Sequence, residues 1–174
     1  CDGTIDVIAT DHAPHSIEEK TRQDIWTVDC GFPGVETQMP LMLTAVAKGR
    51  GSICDYVRWS AANPAKIWGL YPGKGVIQPG ADADIAVIDL NRRWTILDSE
   101  LHSTAKISPW NGWEVQGMPL HTIVRGRFVV KNRVLQSGTK GWGQSVHKIQ
   151  NMPTPSPVNL DQTTAAILSS GARI

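Results

Sequence analysis

Asp11-His12-Ala13-Pro14-His15 is the stretch of this 174-residue sequence best equipped for chemistry. An aspartate in such a setting can ligate a hard or borderline metal ion and also take a proton from water activated there, and nearby imidazoles can ligate, relay protons or hold an anion. The spacing is not specific in itself. Asp-x-x-x-His also arises where a capped strand end carries surface histidines, and on the residues alone the two readings stand level. His12 taken alone fits a structural histidine better than a ligand.

The elements around the pentapeptide decide what it can reach. Ile5-Asp6-Val7-Ile8-Ala9-Thr10 is rich in β-branched residues with little polar alternation, as expected of a short strand buried on both faces of a parallel sheet. The C-terminal ends of such strands are where α/β barrels carry their active sites. A polar loop follows to about Asp29, then turn chemistry at Gly31-Phe32-Pro33-Gly34. Met39, Leu43, Val46 and Ala47 lie at helical spacing within Glu36 to Lys48, with Pro40 tolerated in the first turn and Gly49 and Gly51 as stops. Ser52 with Asp55 predicts the start of a second helix, along which Ile53, Tyr56, Val57 and Ser60 trace one face. Asn63-Pro64 predicts the start of a third, closed by Gly69. After Tyr71-Pro72-Gly73 the period becomes strand-like, with runs at Gly75 to Ile77, Asp84 to Asp89, Trp94 to Leu97 and Thr122 to Val130. The expected organisation is a strand followed by helices over 1–70, a small β unit over 71–147 and an extended, proline-bearing tail over 148–174.

Composition narrows the partners. Seventeen Lys and Arg stand against 16 Asp and Glu, so no electrostatic drive toward nucleic acid or an anionic membrane is expected, and a small-molecule substrate is the natural default. Cys1, Cys30 and Cys54 are odd in number and widely spaced, which indicates neither a disulfide framework nor a zinc ribbon and suits a reducing cytoplasm. No run approaches the roughly 18 apolar residues of a membrane span, and no leader-like segment is present. Because the strand-like run begins almost at Cys1, further chain is expected to precede it; a mature chain trimmed at its start is the alternative.

Several motifs occur together: Thr10 to His15, Glu18-Glu19-Lys20, Gly31-Phe32-Pro33-Gly34-Val35-Glu36-Thr37 running into Met39-Pro40-Leu41, Ser60 to Lys66, Gly80 to Asp84, and Gly141-Trp142-Gly143-Gln144. The set resembles dihydroorotases of the amidohydrolase superfamily, including the dihydroorotase part of the animal multifunctional pyrimidine-synthesis protein, over residues 1 to 147. The strand-end motif is fairly specific to cyclic amidases, whereas Gly80 to Asp89 recurs across the superfamily.

The resemblance implies an α/β fold: the last strand and C-terminal helices of a (β/α)8 metal-dependent hydrolase barrel, plus part of a small β-sandwich. It matches Asp11 to the metal-ligating aspartate that acts as general base and then acid, and His15 to the histidine that meets the substrate carboxylate. Cys30 and Gly31 match loop positions whose backbone faces the substrate ring, although relatives often have Pro in place of Cys30. One or two zinc ions, a small cyclic amide substrate and a homo-oligomer are implied for the intact protein. The remaining ligands, a His-x-His pair, a carboxylated lysine and two further histidines, are expected upstream of Cys1. Asp11 alone cannot hold a catalytic zinc, so the isolated chain is expected to be inactive. His15 favours dihydroorotate and N-carbamoyl-aspartate as the interconverted pair, since allantoinases commonly lack its equivalent and hydantoinases often place an aromatic residue there. A non-catalytic scaffold of the same descent is the rival class. Asp82 and Asp84 read as a turn entering a strand, His102, His121 and His147 as surface or structural residues, and the seven tryptophans as packing.

Overall fold

Proline in a helix removes a donor, and around Pro64 this shapes the helical half of the chain. The computed structural model describes residues 3–146; Cys1, His147 and the expected tail over 148–174 lie outside the described residues. A four-residue helix α1 (Ile17–Lys20) and a 3-10 turn (Ile25–Thr27) precede α2 (Gln38–Ala47). Helix α3 (Ile53–Val57) starts on the expected capping box, Ser52 accepting from the Asp55 N–H at 3.0 Å and Asp55 accepting from the Ser52 N–H at 3.0 Å. It then runs without a break through a π turn (Arg58–Ala62) into α4 (Asn63–Ile67). Asn63 therefore does not cap a separate helix, contrary to the sequence expectation. Its N–H reaches back to the Arg58 carbonyl, widening the turn enough to accommodate Pro64.

The same shift leaves the Trp59 carbonyl without a helical donor. In α register its partner would be the Asn63 N–H, already engaged; in the wider register it would be position 64, a proline. The Ile8 N–H fills the vacancy at 3.2 Å. Two side chains complete the anchoring, Gln38 Nε2 donating to the Ile8 carbonyl at 3.2 Å and Asn63 Nδ2 to the Asp6 carbonyl at 2.8 Å. Residues 5–10 are thus held by helices and do not form the expected strand. A strand is defined by a neighbouring strand's hydrogen bonds, and among the described residues none lies alongside. β-branched propensity alone does not supply that partner.

The second half is one antiparallel sheet with its strands in chain order: β1 (Ile85–Thr95), β2 (Glu114–Val124), β3 (Arg127–Lys131) and β4 (Val134–Leu135). The run from Thr122 to Val130, expected to be continuous, is a hairpin. Arg125 and Gly126 both take positive φ, 46° and 78°, and Asn132 and Arg133 repeat the pattern at 50° and 64°, the backbone that tight two-residue hairpins require. Trp94 continues β1, and Gly75 to Ile77 form no strand. Most of β2 escaped the sequence reading because Gly117 and Pro119 interrupt its strand pattern.

Helix α2 packs on β2, and the contact depends on a missing side chain. Gly117, at φ +94°, brings the sheet so close that a Cβ there would lie 2.6 Å from Leu43 Cβ. Thr44 Oγ1 crosses the same seam, accepting from the Gln116 N–H at 2.8 Å and donating to the Pro40 carbonyl at 2.7 Å. Leu43, Ile96, Leu101, Val115 and Met118 are buried in the core, with Tyr56 and Ala65 buried on the α3 and α4 side. Among the described residues no helix is long and apolar enough to cross a membrane. Gly117→Ala is expected to cost about 2–4 kcal/mol, combining overpacking with left-handed strain. Gly112→Ala, at φ +81° but facing open space, should cost only about 1 kcal/mol. Urea unfolding of both variants tests this: equal midpoints would show that the Leu43 contact contributes nothing.

Candidate active site

The pentapeptide lies against the Gly31–Val35 turn along its length. The Ala13 N–H donates to the Phe32 carbonyl at 3.1 Å. At Gly31, φ +99°, a Cβ would stand 2.5 Å from Ala13 Cβ; at Gly34 it would stand 3.0 Å from the Thr10 carbonyl oxygen. Both glycines are there because the two backbones touch. The Gly34 and Val35 N–H groups then donate to His12 Nδ1 at 3.1 and 3.3 Å. This nitrogen accepts from the turn although His12 is exposed, so His12 has the structural role its sequence setting suggested. Asp11 adopts a left-handed backbone, φ 44°, which aspartate tolerates better than most residues. Its exposed carboxylate has no hydrogen-bond or ion-pair partner among the described residues.

His15 opens a second group. The turn behind it is a capping box, with the Ser16 N–H donating to Glu19 Oε2 at 2.7 Å and the Glu19 N–H to Ser16 Oγ at 3.2 Å. The Ser16 backbone hydrogen bond leads the causes that hold the Glu19 carboxyl below the usual glutamate range. The same oxygen stands 3.5 Å from His15 Nδ1. His15, Glu19 and Asp29 bring one ligand atom each within 4.8 Å of one another, and Asp11 is not in that group. In kind, an imidazole and two carboxylates could hold a cation. Glu19 is already engaged by Ser16, however, and Asp29 pairs with Arg22 at 3.2 Å. Lys20 Nζ donates to the Asp29 and Gly31 carbonyls, each at 2.6 Å, and so spans Cys30, a free and exposed thiol. Glu19 was visible in sequence through the Ser-x-x-Glu box and the i,i+4 spacing from His15, and Lys20 only as the end of the Glu18-Glu19-Lys20 motif; no local signal announced Asp29 or Arg22.

Glu36, in the same motif as the turn glycines, ties it to the β half. Its Oε1 accepts from the His102 and Ser103 N–H groups at 2.8 and 3.1 Å, and Oε2 lies 2.8 Å from His102 Nδ1. Burial works against the carboxylate, but the bonds from His102 and Ser103 outweigh it and hold the group below the usual glutamate range. Asp82 and Asp84 both pair with Lys74, and Asp84 also accepts the Arg125 N–H at 2.7 Å. Asp84 thus clasps the β2–β3 turn, and both carboxylates are structural, as their sequence setting implied.

The architecture is α/β, with helices packed on a four-stranded antiparallel sheet, and agrees with part of a larger TIM-barrel-like hydrolase fold. The amidohydrolase family profile matches residues 1–129. A dihydroorotase of Methanothermobacter thermautotrophicus is 45% identical over 134 residues, covering 77% of this chain and 31% of that protein. An L-hydantoinase of Paenarthrobacter aurescens is 40% identical over 148 residues, covering 83% and 32%. The solved D-hydantoinase (dihydropyrimidinase) from Thermus sp. superposes with TM-score 0.76 at 34% identity, covering 80% of this chain and 31% of that one. The chain belongs to the amidohydrolase family, in its cyclic-amidase group of dihydroorotase- and hydantoinase-like proteins, and spans about a third of the length of these relatives.

The Glu36 linkage gives a pH prediction. A carboxyl whose folded pKa is depressed stabilises the fold above its unfolded value and loses that contribution as pH falls through the folded one. Wild type should exceed Glu36→Gln by up to about 1 kcal/mol at neutral pH, and the gap should close between about pH 5 and pH 3. Urea midpoints of both proteins across that range check it; a pH-independent gap would remove Glu36 ionisation as its cause.

Proposed function

We propose that this chain is the segment of a metal-dependent cyclic-amide hydrolase that carries the catalytic aspartate and part of the substrate-binding loop. Residues 1–70 would complete the barrel, and 71–147 would contribute to its β-sandwich. The observation that carries the reading is Asp11: a carboxylate without a partner on a left-handed backbone, beside a loop fixed by two glycine contacts. Most other charged groups nearby are engaged, so this freedom suits a ligand and proton carrier.

Asp11 fits zinc as one donor. Zinc needs about three or more protein ligands, and the rest must come from outside these residues, so the segment alone is expected to be inactive. When bound, zinc would supply Lewis-acid activation of water and of the ring carbonyl. Asp11 would take the proton from the attacking water and return it to the leaving ring nitrogen. His15, with Glu19 beside its Nδ1, would hold the carboxylate of dihydroorotate or N-carbamoyl-aspartate, and the Cys30 and Gly31 backbone would face the ring. The second reading is hydantoinase-like, favoured by the identity to the L-hydantoinase and by the D-hydantoinase superposition.

In the full-length, zinc-loaded protein containing this segment, Asp11→Asn should abolish turnover. His15→Ala should lower kcat/KM for dihydroorotate by about ten- to hundredfold, the worth of one charge-assisted hydrogen bond of about 1.5–3 kcal/mol. Steady-state assays on dihydroorotate and hydantoin separate the readings. Unchanged dihydroorotate efficiency in the His15 variant would select the hydantoinase-like reading, and a metal-loaded wild type inert on both would select the scaffold.

A further inference from the structure

Lys20 is placed unusually for a lysine with carboxylates close by. Its ammonium bonds not to Glu19 or Asp29 but to two backbone carbonyls, those of Asp29 and Gly31, each at 2.6 Å. Such short contacts are charge-assisted, and they converge from either side of one residue, Cys30. The carboxylates that could compete are held elsewhere, Glu19 by the Ser16 N–H and Asp29 by Arg22. With the flanking carbonyls fixed on one ammonium, the chain at Cys30 and Gly31 has little freedom left. Yet its own polar groups are unused: among the described residues, neither the Cys30 and Gly31 N–H groups nor the Cys30 carbonyl has a protein partner. A donor and acceptor row held rigid and left open matches the edge of a cyclic amide, which presents N–H and C=O side by side.

We propose that Lys20 is a positioning residue for substrate binding: by clamping the Asp29 and Gly31 carbonyls it presents the intervening Cys30–Gly31 backbone to the amide edge of the ring. The inference rests on the assignment of Cys30 and Gly31 as ring contacts. Lys20 also joins the two walls of the loop. Helix α1 follows His15 after its N-cap Ser16, and the Ala13 N–H already bonds the Phe32 carbonyl, so the Lys20 bonds add a second tie between the His15 side of the loop and the Cys30–Gly31 backbone. Its contribution is to pre-organisation rather than to the chemical step, so it should appear in binding.

Lys20→Met keeps the aliphatic stem and removes the ammonium, and Lys20→Arg restores a cation able to reach two carbonyls. In residues 1–174, hydrogen exchange at the Ala13 amide should speed up about tenfold or more in Lys20→Met, while the remote Gly126 amide, bonded to the Ala83 carbonyl, keeps its rate and reports an intact fold. In the full-length, zinc-loaded protein, Lys20→Met should raise KM for the cyclic amide about tenfold with kcat within about threefold of wild type, and Lys20→Arg should recover most of the loss. An unchanged KM, or a kcat loss that Lys20→Arg does not repair, overturns the proposal even if the loop loosens. A wild-type protein that turns over no cyclic amide overturns the functional reading beneath it, an outcome distinct from active wild type with a silent Lys20 variant.

Discussion

At Gly31 and Gly34, where residues 31–35 meet residues 10–15, there is no space for a side chain, and the rest of the site follows from that closeness. A Cβ at Gly31 or Gly34 would strike Ala13 or Thr10. Only with both absent can the Ala13 N–H reach the Phe32 carbonyl and the Gly34 and Val35 N–H groups reach His12 Nδ1. His12 is thereby engaged through Nδ1, while Asp11, one residue earlier on a left-handed backbone, has no partner among the described residues, although both residues are exposed. Two neighbouring residues of similar chemical promise receive different roles from one backbone contact.

The charges around this contact are mostly settled over short distances. Ser16 takes Glu19, Arg22 takes Asp29, and Lys20 takes two carbonyls. Exposed pairs of this kind add little to stability, and their effect here is on geometry, since each removes a competitor for a group the site uses. Farther off, Glu36 fastens the turn to His102 and Ser103, while Lys74 pairs with Asp82 and Asp84, and Asp84 accepts the Arg125 N–H of the β2–β3 hairpin. The Glu36 tie joins residues 66 apart in sequence, so the loop geometry depends on the β half although that half supplies none of the proposed catalytic or substrate-contact groups.

Much of this was legible in the sequence, for reasons that are local. Helical spacing of Met39, Leu43 and Val46 marked α2, Ser52 and Asp55 formed the capping box their order suggested, and the motifs from Thr10 to Gln144 together pointed to the family to which the chain belongs. Asp82 and Asp84 were read as structural from their turn setting, and Lys74 holds them. The helix inferences concern residues within one or two turns of one another, where spacing alone determines which groups meet, whereas the family rested on several separated motifs occurring together.

What the tertiary structure decided concerns partners that are distant in the chain. Ile5 to Thr10 has the composition of a strand, yet its backbone is taken up by Trp59, Gln38 and Asn63, because Pro64 freed a helical carbonyl more than 50 residues away. The long run from Thr122 to Val130 folds back at Arg125-Gly126 because β1 and β3 flank β2 there, a pairing the alternation of residues could not reveal. Asp29 joined His15 and Glu19, and Lys20 clamped Gly31, only once the loop had closed on itself. The sequence thus determined which groups are capable of chemistry and which local elements carry them. The fold determined which remain free to act, because a hydrogen-bonding group is defined by its nearest partner in space, and for a loop residue that partner is seldom its neighbour in the chain.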